Sequence, residues 1–239
     1  MSIQSIDTNL IVALQSAFSG NSVGSKLFRI FVYNVGENPL FRGIPVFFPL
    51  LLLWFKNSAI EQRSRMVTGI LGVAFAVFVS VAMQYLVQVH TRPVLDPTLT
   101  LQMATQKWDH NSSFPSDTAM LYFALSTVIF LQNRRLGKIA FLWSAISAGL
   151  CRVALGWHYP SDILGSLIIA PLIILAFSKS NYLLKLVARL LTSMERKSHV
   201  VNAFLMLFIA DAYNLFPGLR GIVETIVRIA KHNLTLPGQ

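Results

Sequence analysis

Arg152, His158 and Asp162 stand close together between two apolar runs, in the stretch Cys151-Arg152-Val153-Ala154-Leu155-Gly156-Trp157-His158-Tyr159-Pro160-Ser161-Asp162. Charge at membrane depth is costly, so a cation, an imidazole and a carboxylate gathered there point to a site. A guanidinium holds phosphate oxygens as a planar fork. An imidazole can act as nucleophile or base, and a nearby carboxylate can accept its second ring N–H and fix the tautomer. Pro160 suits the first position of a helix, where backbone N–H groups attract anions. The plainer reading is an intramembrane ion pair that only orders helices.

A second polar cluster lies upstream. His90-Thr91-Arg92-Pro93 follows an apolar run, and His110-Asn111-Ser112-Ser113-Phe114-Pro115-Ser116-Asp117-Thr118 precedes another. Ser116 and Asp117 fall in a first helical turn, where unpaired N–H groups could cradle a phosphate with help from the Ser116 hydroxyl. Taken alone, Ser116 and Asp117 read as an ordinary N-cap. Arg92 taken alone reads as a cation snorkelling to the headgroups.

Apolar segments must position these clusters. The chain has 239 residues, of which 54% are hydrophobic and 13% charged, with mean hydropathy +0.58. Soluble chains carry about 25% charged residues, so the expected class is an all-α integral membrane protein of one domain, residues 1–239, with its core at 66–178. About six transmembrane helices are predicted, at 40–55, 66–89, 117–132, 138–155, 161–178 and 200–216. Amphipathic interfacial helices are predicted near both termini, around Lys26–Tyr33 and Gly221–His232, with an amphipathic turn or two at Leu10–Gln15. The N-terminus lacks a basic region and a cleavage site, so no cleavable signal peptide is expected.

The net charge of +10 sits mainly in loops 56–65, 133–138 and 178–199. With six spans these share one face, which the positive-inside rule makes cytoplasmic, and both polar clusters then face outward together. The basic loops imply a bilayer with anionic lipids as partner rather than nucleic acid. The single cysteine, Cys151, excludes an internal disulfide. No metal-ligand spacing appears, so neither a metal nor another cofactor is expected.

Arg92-Pro93, Phe114-Pro115-Ser116-Asp117 and Cys151-Arg152…His158…Asp162 together resemble the three signatures of the type 2 phosphatidic acid phosphatase superfamily, in the family's order. The third is the specific one, because its spacing matches throughout. The resemblance implies six helices and metal-independent hydrolysis of a phosphoester or pyrophosphate through a phosphohistidine. It makes His158 the nucleophile and Asp162 its orienting partner. Arg92 and Arg152 would bind the phosphate, and Ser116 with the backbone at Asp117 would complete the oxyanion site.

The departures shape the expected substrate. Tyr85 stands where the family has a lysine, Cys151 where it has a serine, and Asp117 where it has a glycine, a variant associated with undecaprenyl pyrophosphate phosphatases. Thr118 replaces the histidine that protonates the leaving group, and threonine is no acid near neutral pH. An alkoxide needs that proton more than a departing phosphate does. The expected activity is therefore a membrane lipid phosphatase acting on a polyprenyl pyrophosphate or related polyprenyl-linked phosphate, on the periplasmic face of a bacterial inner membrane. His110 or His90 could replace the acid. The alternatives are a lipid phosphotransferase using the same histidine and a degenerate family member that binds lipid phosphates without turnover.

Overall fold

The computed structural model describes residues 3–18, 20–57, 59–87, 89–99, 101, 112–194, 198–218, 221–223 and 225–226. Its helices in chain order are α1 (Ile3–Phe18), α2 (Val23–Glu37), α3 (Pro39–Lys56), α4 (Ile60–Leu86), α5 (Asp117–Gln132), α6 (Arg134–Ser144), α7 (Cys151–Ala154), α8 (Pro160–Lys179), α9 (Asn181–Ser193) and α10 (Ser198–Tyr213). A π-helical stretch, Ala145–Leu150, joins α6 to α7, so one rod runs Arg134–Ala154. No strand occurs among the described residues.

Helix α3, helix α4, the α6–α7 rod and α8 are each long and apolar enough to cross a bilayer, and α5 and α10 are shorter apolar helices. These six are the expected spans, and the protein is an all-α integral membrane protein. Every residue of α5 from Asp117 to Ile129 is buried. A helix apolar on all sides belongs at the centre of a bundle, and α5 packs against α3, α4, α6 and α8. The outer helices turn Leu71, Phe75 and Phe78 of α4 and Leu164, Ile168 and Leu172 of α8 outward. Such a belt suits hydrocarbon rather than water.

Close approach fixes the central hairpin. A Cβ on Gly137 would lie 2.3 Å from the Phe130 Cα, so α5 and α6 meet at a distance only glycine permits.

The structure departs from expectation in two segments. Helix α1 is a full helix rather than a turn or two. Asp7 and Gln15 interrupt its apolar period, yet both are buried because they bind distant backbone. Asp7 Oδ1 accepts from the Ser161 N–H (3.0 Å), and Gln15 Nε2 donates to the Ala154 carbonyl (2.6 Å). The segment 178–199, expected to be a basic loop, contains α9, capped by the Ser180 hydroxyl, which accepts from Leu183 N. The interfacial helix expected near Lys26–Tyr33 is present as α2. The one expected at Gly221–His232 falls mostly outside the described residues, of which 221–223 and 225–226 are helical.

The C-termini of α4 and α7 and the N-termini of α5 and α8 meet at one end of the bundle. Both polar clusters therefore arrive there.

Candidate active site

Helix α7 must turn sharply into α8, and Gly156 allows it with φ +70, a left-handed conformation costly for other residues. The Gly156 carbonyl accepts from Val94 N (2.9 Å), which pins the Arg92-Pro93 segment to this turn. Pro160 occupies the first turn of α8, as its type predicts, and Asp162 closes a capping box: its Oδ2 accepts from Tyr159 N at 2.8 Å. Asp162 is four positions after His158, and the cap geometry brings their side chains together.

His158 is 2% exposed. Its Nδ1 lies 3.0 Å from the Ser113 carbonyl oxygen and 3.4 Å from Asp162 Oδ2. Both neighbours are acceptors, so Nδ1 carries the ring proton and Nε2 keeps its lone pair. Nε2 faces Arg92 Nη1 at 3.2 Å, and the same Nη1 donates to the Trp157 carbonyl at 3.2 Å. Burial pushes the His158 pKa down to about 4 from 6.5, with Arg92 adding to the fall and the hydrogen bond to Asp162 opposing it. The imidazole is neutral at pH 7, as a nucleophile must be. Burial lowers Arg92 to about 10, opposed by Asp162 and Tyr85, so it remains a cation.

Arg152, 5% exposed, lies over the Trp157 ring, 4.4 Å from its centroid, and donates from Nη2 to Thr118 Oγ1 at 3.1 Å. Thr118 Oγ1 in turn donates to Asp117 Oδ1 at 3.3 Å, and the same carboxylate oxygen accepts from Thr118 N at 2.6 Å. The Ser116 hydroxyl caps α5 by accepting from Ala119 N at 3.3 Å. The start of α5 thus lies beside Arg152, with the Ser116 side chain engaged as a helix cap. Gln84 and Ser80 do not reach toward a phosphate position; both donate to the Pro115 carbonyl and hold that turn.

His90 joins the site from an unexpected side. Its Nε2 lies 3.4 Å from Asp162 Oδ1, across the carboxylate from His158. His158 Nε2 is turned to Arg92, whereas His90 meets the carboxylate that lies on the Nδ1 side of the His158 ring. His110 lies outside the described residues. The structure thus gathers Arg92, Ser116, Asp117, Arg152, His158, Asp162 and His90.

Two contributors escaped sequence reasoning. One is the Ser113 carbonyl, which no side-chain pattern announces. The other is Arg42 of α3, 4% exposed, which donates to the Gly36 carbonyl (2.6 Å) and sits 5.8 Å from the Tyr122 ring centroid. A lone arginine inside an apolar run was the signal available.

Among the described residues no group of three or more His, Cys, Asp or Glu side chains gathers as a metal site. The apolar belt and this single polar end describe a membrane-embedded protein whose buried cations and neutral imidazole suit an anionic group. Family comparison makes the class specific. The model of the PAP2 superfamily matches residues 46–185, more than half of the chain, and the protein belongs to that superfamily. The undecaprenyl-diphosphatase BcrC of Bacillus subtilis (strain 168) is 28% identical over 139 residues, covering 57% of this chain and 67% of that protein. The bacitracin transport permease protein BcrC of Bacillus licheniformis is 35% identical over 69 residues, covering 28% of this chain and 34% of that protein. No solved structure matches the chain.

Proposed function

We propose that the protein is a membrane lipid phosphatase that removes the terminal phosphate of a polyprenyl diphosphate, through a phosphohistidine at His158, on the periplasmic face of a bacterial inner membrane. Membership of the PAP2 superfamily and the undecaprenyl-diphosphatase relative support the reaction class. One observation carries the mechanism: the His158 Nδ1 proton is held between Ser113 and Asp162, which leaves the Nε2 lone pair facing Arg92.

In the first step the Nε2 lone pair forms a bond to the terminal phosphorus, and the bond from that phosphorus to the bridging oxygen breaks. The leaving group is a lipid monophosphate, which takes the electron pair and needs no proton at that moment. Arg92 and Arg152 meet the charge on the transferred phosphoryl oxygens, with the α5 N-terminus alongside. Asp162 stabilises the positive charge that the ring acquires. In the second step a water oxygen bonds to phosphorus, the N–P bond returns its electrons to Nε2, and inorganic phosphate leaves. Arginines supply the charge stabilisation throughout, so the reaction runs without added metal.

The orientation rests on charge. The α3–α4, α5–α6 and α8–α9 junctions lie at the end of the bundle away from the site, and Lys56, Arg63, Arg65, Arg134, Arg135 and Lys179 sit there. The positive-inside rule assigns that end to the cytoplasm, where anionic headgroups would meet it.

Phosphate release by purified protein in detergent with chelator, from undecaprenyl diphosphate and phosphatidic acid, tests the reading beside His158→Ala. Release from the diphosphate that disappears in the variant is the expected result. Full release by the variant overturns the nucleophile assignment. No release from either substrate by the wild-type protein overturns the hydrolase reading.

A further inference from the structure

Asp162 is fully buried and stands between two imidazoles at matched distances: Oδ2 is 3.4 Å from His158 Nδ1, and Oδ1 is 3.4 Å from His90 Nε2. Oδ2 has a second donor, the Tyr159 N–H at 2.8 Å, whereas no hydrogen bond of good geometry reaches Oδ1. His90 Nε2 is the group placed to serve it. A buried carboxylate with one oxygen unserved is held poorly and costs desolvation.

Ser113 links the two rings. Its carbonyl faces His158 Nδ1 at 3.0 Å, and its hydroxyl lies 2.8 Å from His90 Nδ1. The Ser113 N–H also donates to the His90 carbonyl at 3.1 Å, which ties the backbones together. Polar contacts thus close a ring through His90, Ser113, His158 and Asp162. The protons can be assigned around it. With Asp162 as acceptor, neutral His90 carries its hydrogen on Nε2 and accepts the Ser113 hydroxyl proton at Nδ1. The Tyr159 ring meets His90 edge to face, with centroids 4.7 Å apart, and fixes the imidazole plane.

We propose that His90 is a positioning residue for the reaction: it holds Asp162 Oδ1, and so aims Oδ2 at His158 Nδ1 when the ring gains positive charge on phosphorylation. The role rests on the phosphohistidine reading above. His90 does not touch the phosphoryl group; it acts through the carboxylate. Partners that hold a metal-bound imidazole from behind typically contribute about 10- to 100-fold; the same order is expected for this carboxylate, and an effect on the charged intermediate falls on kcat rather than on KM.

The two imidazole nitrogens can be tested separately, because a glutamine amide reaches the position of Nε2 and an asparagine amide only that of Nδ1. His90→Gln keeps a donor for Asp162 and should keep kcat within about 3-fold of wild type. His90→Asn keeps only the contact to Ser113 and should lower kcat about 10-fold or more, with KM unchanged. In an Asp162→Asn background the two variants should become equivalent, because the group they differ in serving is gone. Equal kcat for the two variants, the reverse order, or a loss confined to KM would overturn the role. His158→Ala, assayed in parallel, separates this from the underlying reading: if it retains phosphate release, the phosphohistidine itself fails whatever the His90 variants do.

Discussion

Around His158 polar groups hold both ring nitrogens, whereas around Thr118, where the family signature has a histidine, the contacts are of another kind. On the first side, Ser113, Asp162 and Arg92 stand within 3.4 Å of the ring nitrogens and fix both the tautomer and the direction of the lone pair. On the second, Thr118 accepts from Arg152 and donates to Asp117, and Tyr85 stands in place of a lysine. In the proposed mechanism the first half forms the bond to phosphorus, and the other half offers the Arg152 cation to the departing group. On that mechanism a leaving group that is already an anion suits the pairing better than an alkoxide.

The most severe way to break the comparison is to remove the nucleophile. His158→Ala should reduce phosphate release by roughly 10⁴-fold or more, to the background set by binding and oxyanion contacts alone. Steady-state release in detergent reads this directly. Quench of labelled substrate in alkaline SDS, where the N–P bond of a phosphohistidine survives, should trap phosphoprotein in the wild type and none in the variant.

The next largest effect should come from the cations that span the two halves. Arg152→Ala removes a phosphoryl contact and leaves Thr118 without its donor, and should lower kcat about 10²- to 10³-fold. Arg152→Lys should recover only part of this, because an ammonium cannot reproduce the fork that stacks on Trp157 and reaches Thr118 at once. A full recovery by lysine would mean that point charge, and not geometry, is what the site requires.

Thr118 sharpens the contrast further. If the leaving lipid phosphate needs no proton, Thr118→Val should lower diphosphate hydrolysis by less than about 10-fold, chiefly by loosening Arg152, far short of the 10²- to 10⁴-fold attached to a general acid. The ratio of kcat/KM for a polyprenyl diphosphate over phosphatidic acid should stay high in both proteins. A loss of about 10³-fold on the diphosphate would show that the hydroxyl takes part in proton transfer.

The legibility of these features differs for physical reasons. The six apolar runs were visible because a membrane helix must be apolar over most of its length. The Arg152, His158 and Asp162 set was visible because it lies within one short loop and helix start. The place of α1 was not visible: Asp7 and Gln15 look like solvent-facing breaks, and only the fold turns them inward to Ser161 and Ala154. Helix α9 was hidden by its cations, which suggest a loop even though the apolar residues between them keep helical spacing. His90 carried a signal as a histidine beside Arg92, but its partner Asp162 lies far along the chain. Arg42 was readable as a lone charge in an apolar run, while its neighbour Tyr122 comes from a separate helix.

The mildest expected effect tests the burial that makes His158 neutral. Its folded-state pKa is lowered to about 4 from 6.5, with burial as the first cause. A basic group with a lowered folded pKa binds its proton in the unfolded chain before it binds it in the folded one. Between pH 6.5 and 4 the unfolded state therefore carries more protons, and stability must rise with pH across that window. The contribution is fully present above pH 6.5 and is lost as pH falls toward 4. Thermal melts in detergent at stepped pH, wild type beside His158→Asn, isolate it, since asparagine does not titrate. The wild-type midpoint should fall relative to the variant as the pH drops through this window. A difference that stays constant with pH would mean that the ring accepts a proton in the folded protein as readily as in the unfolded chain. The nucleophile half would then lack the dry, pre-set lone pair that distinguishes it from the half around Thr118.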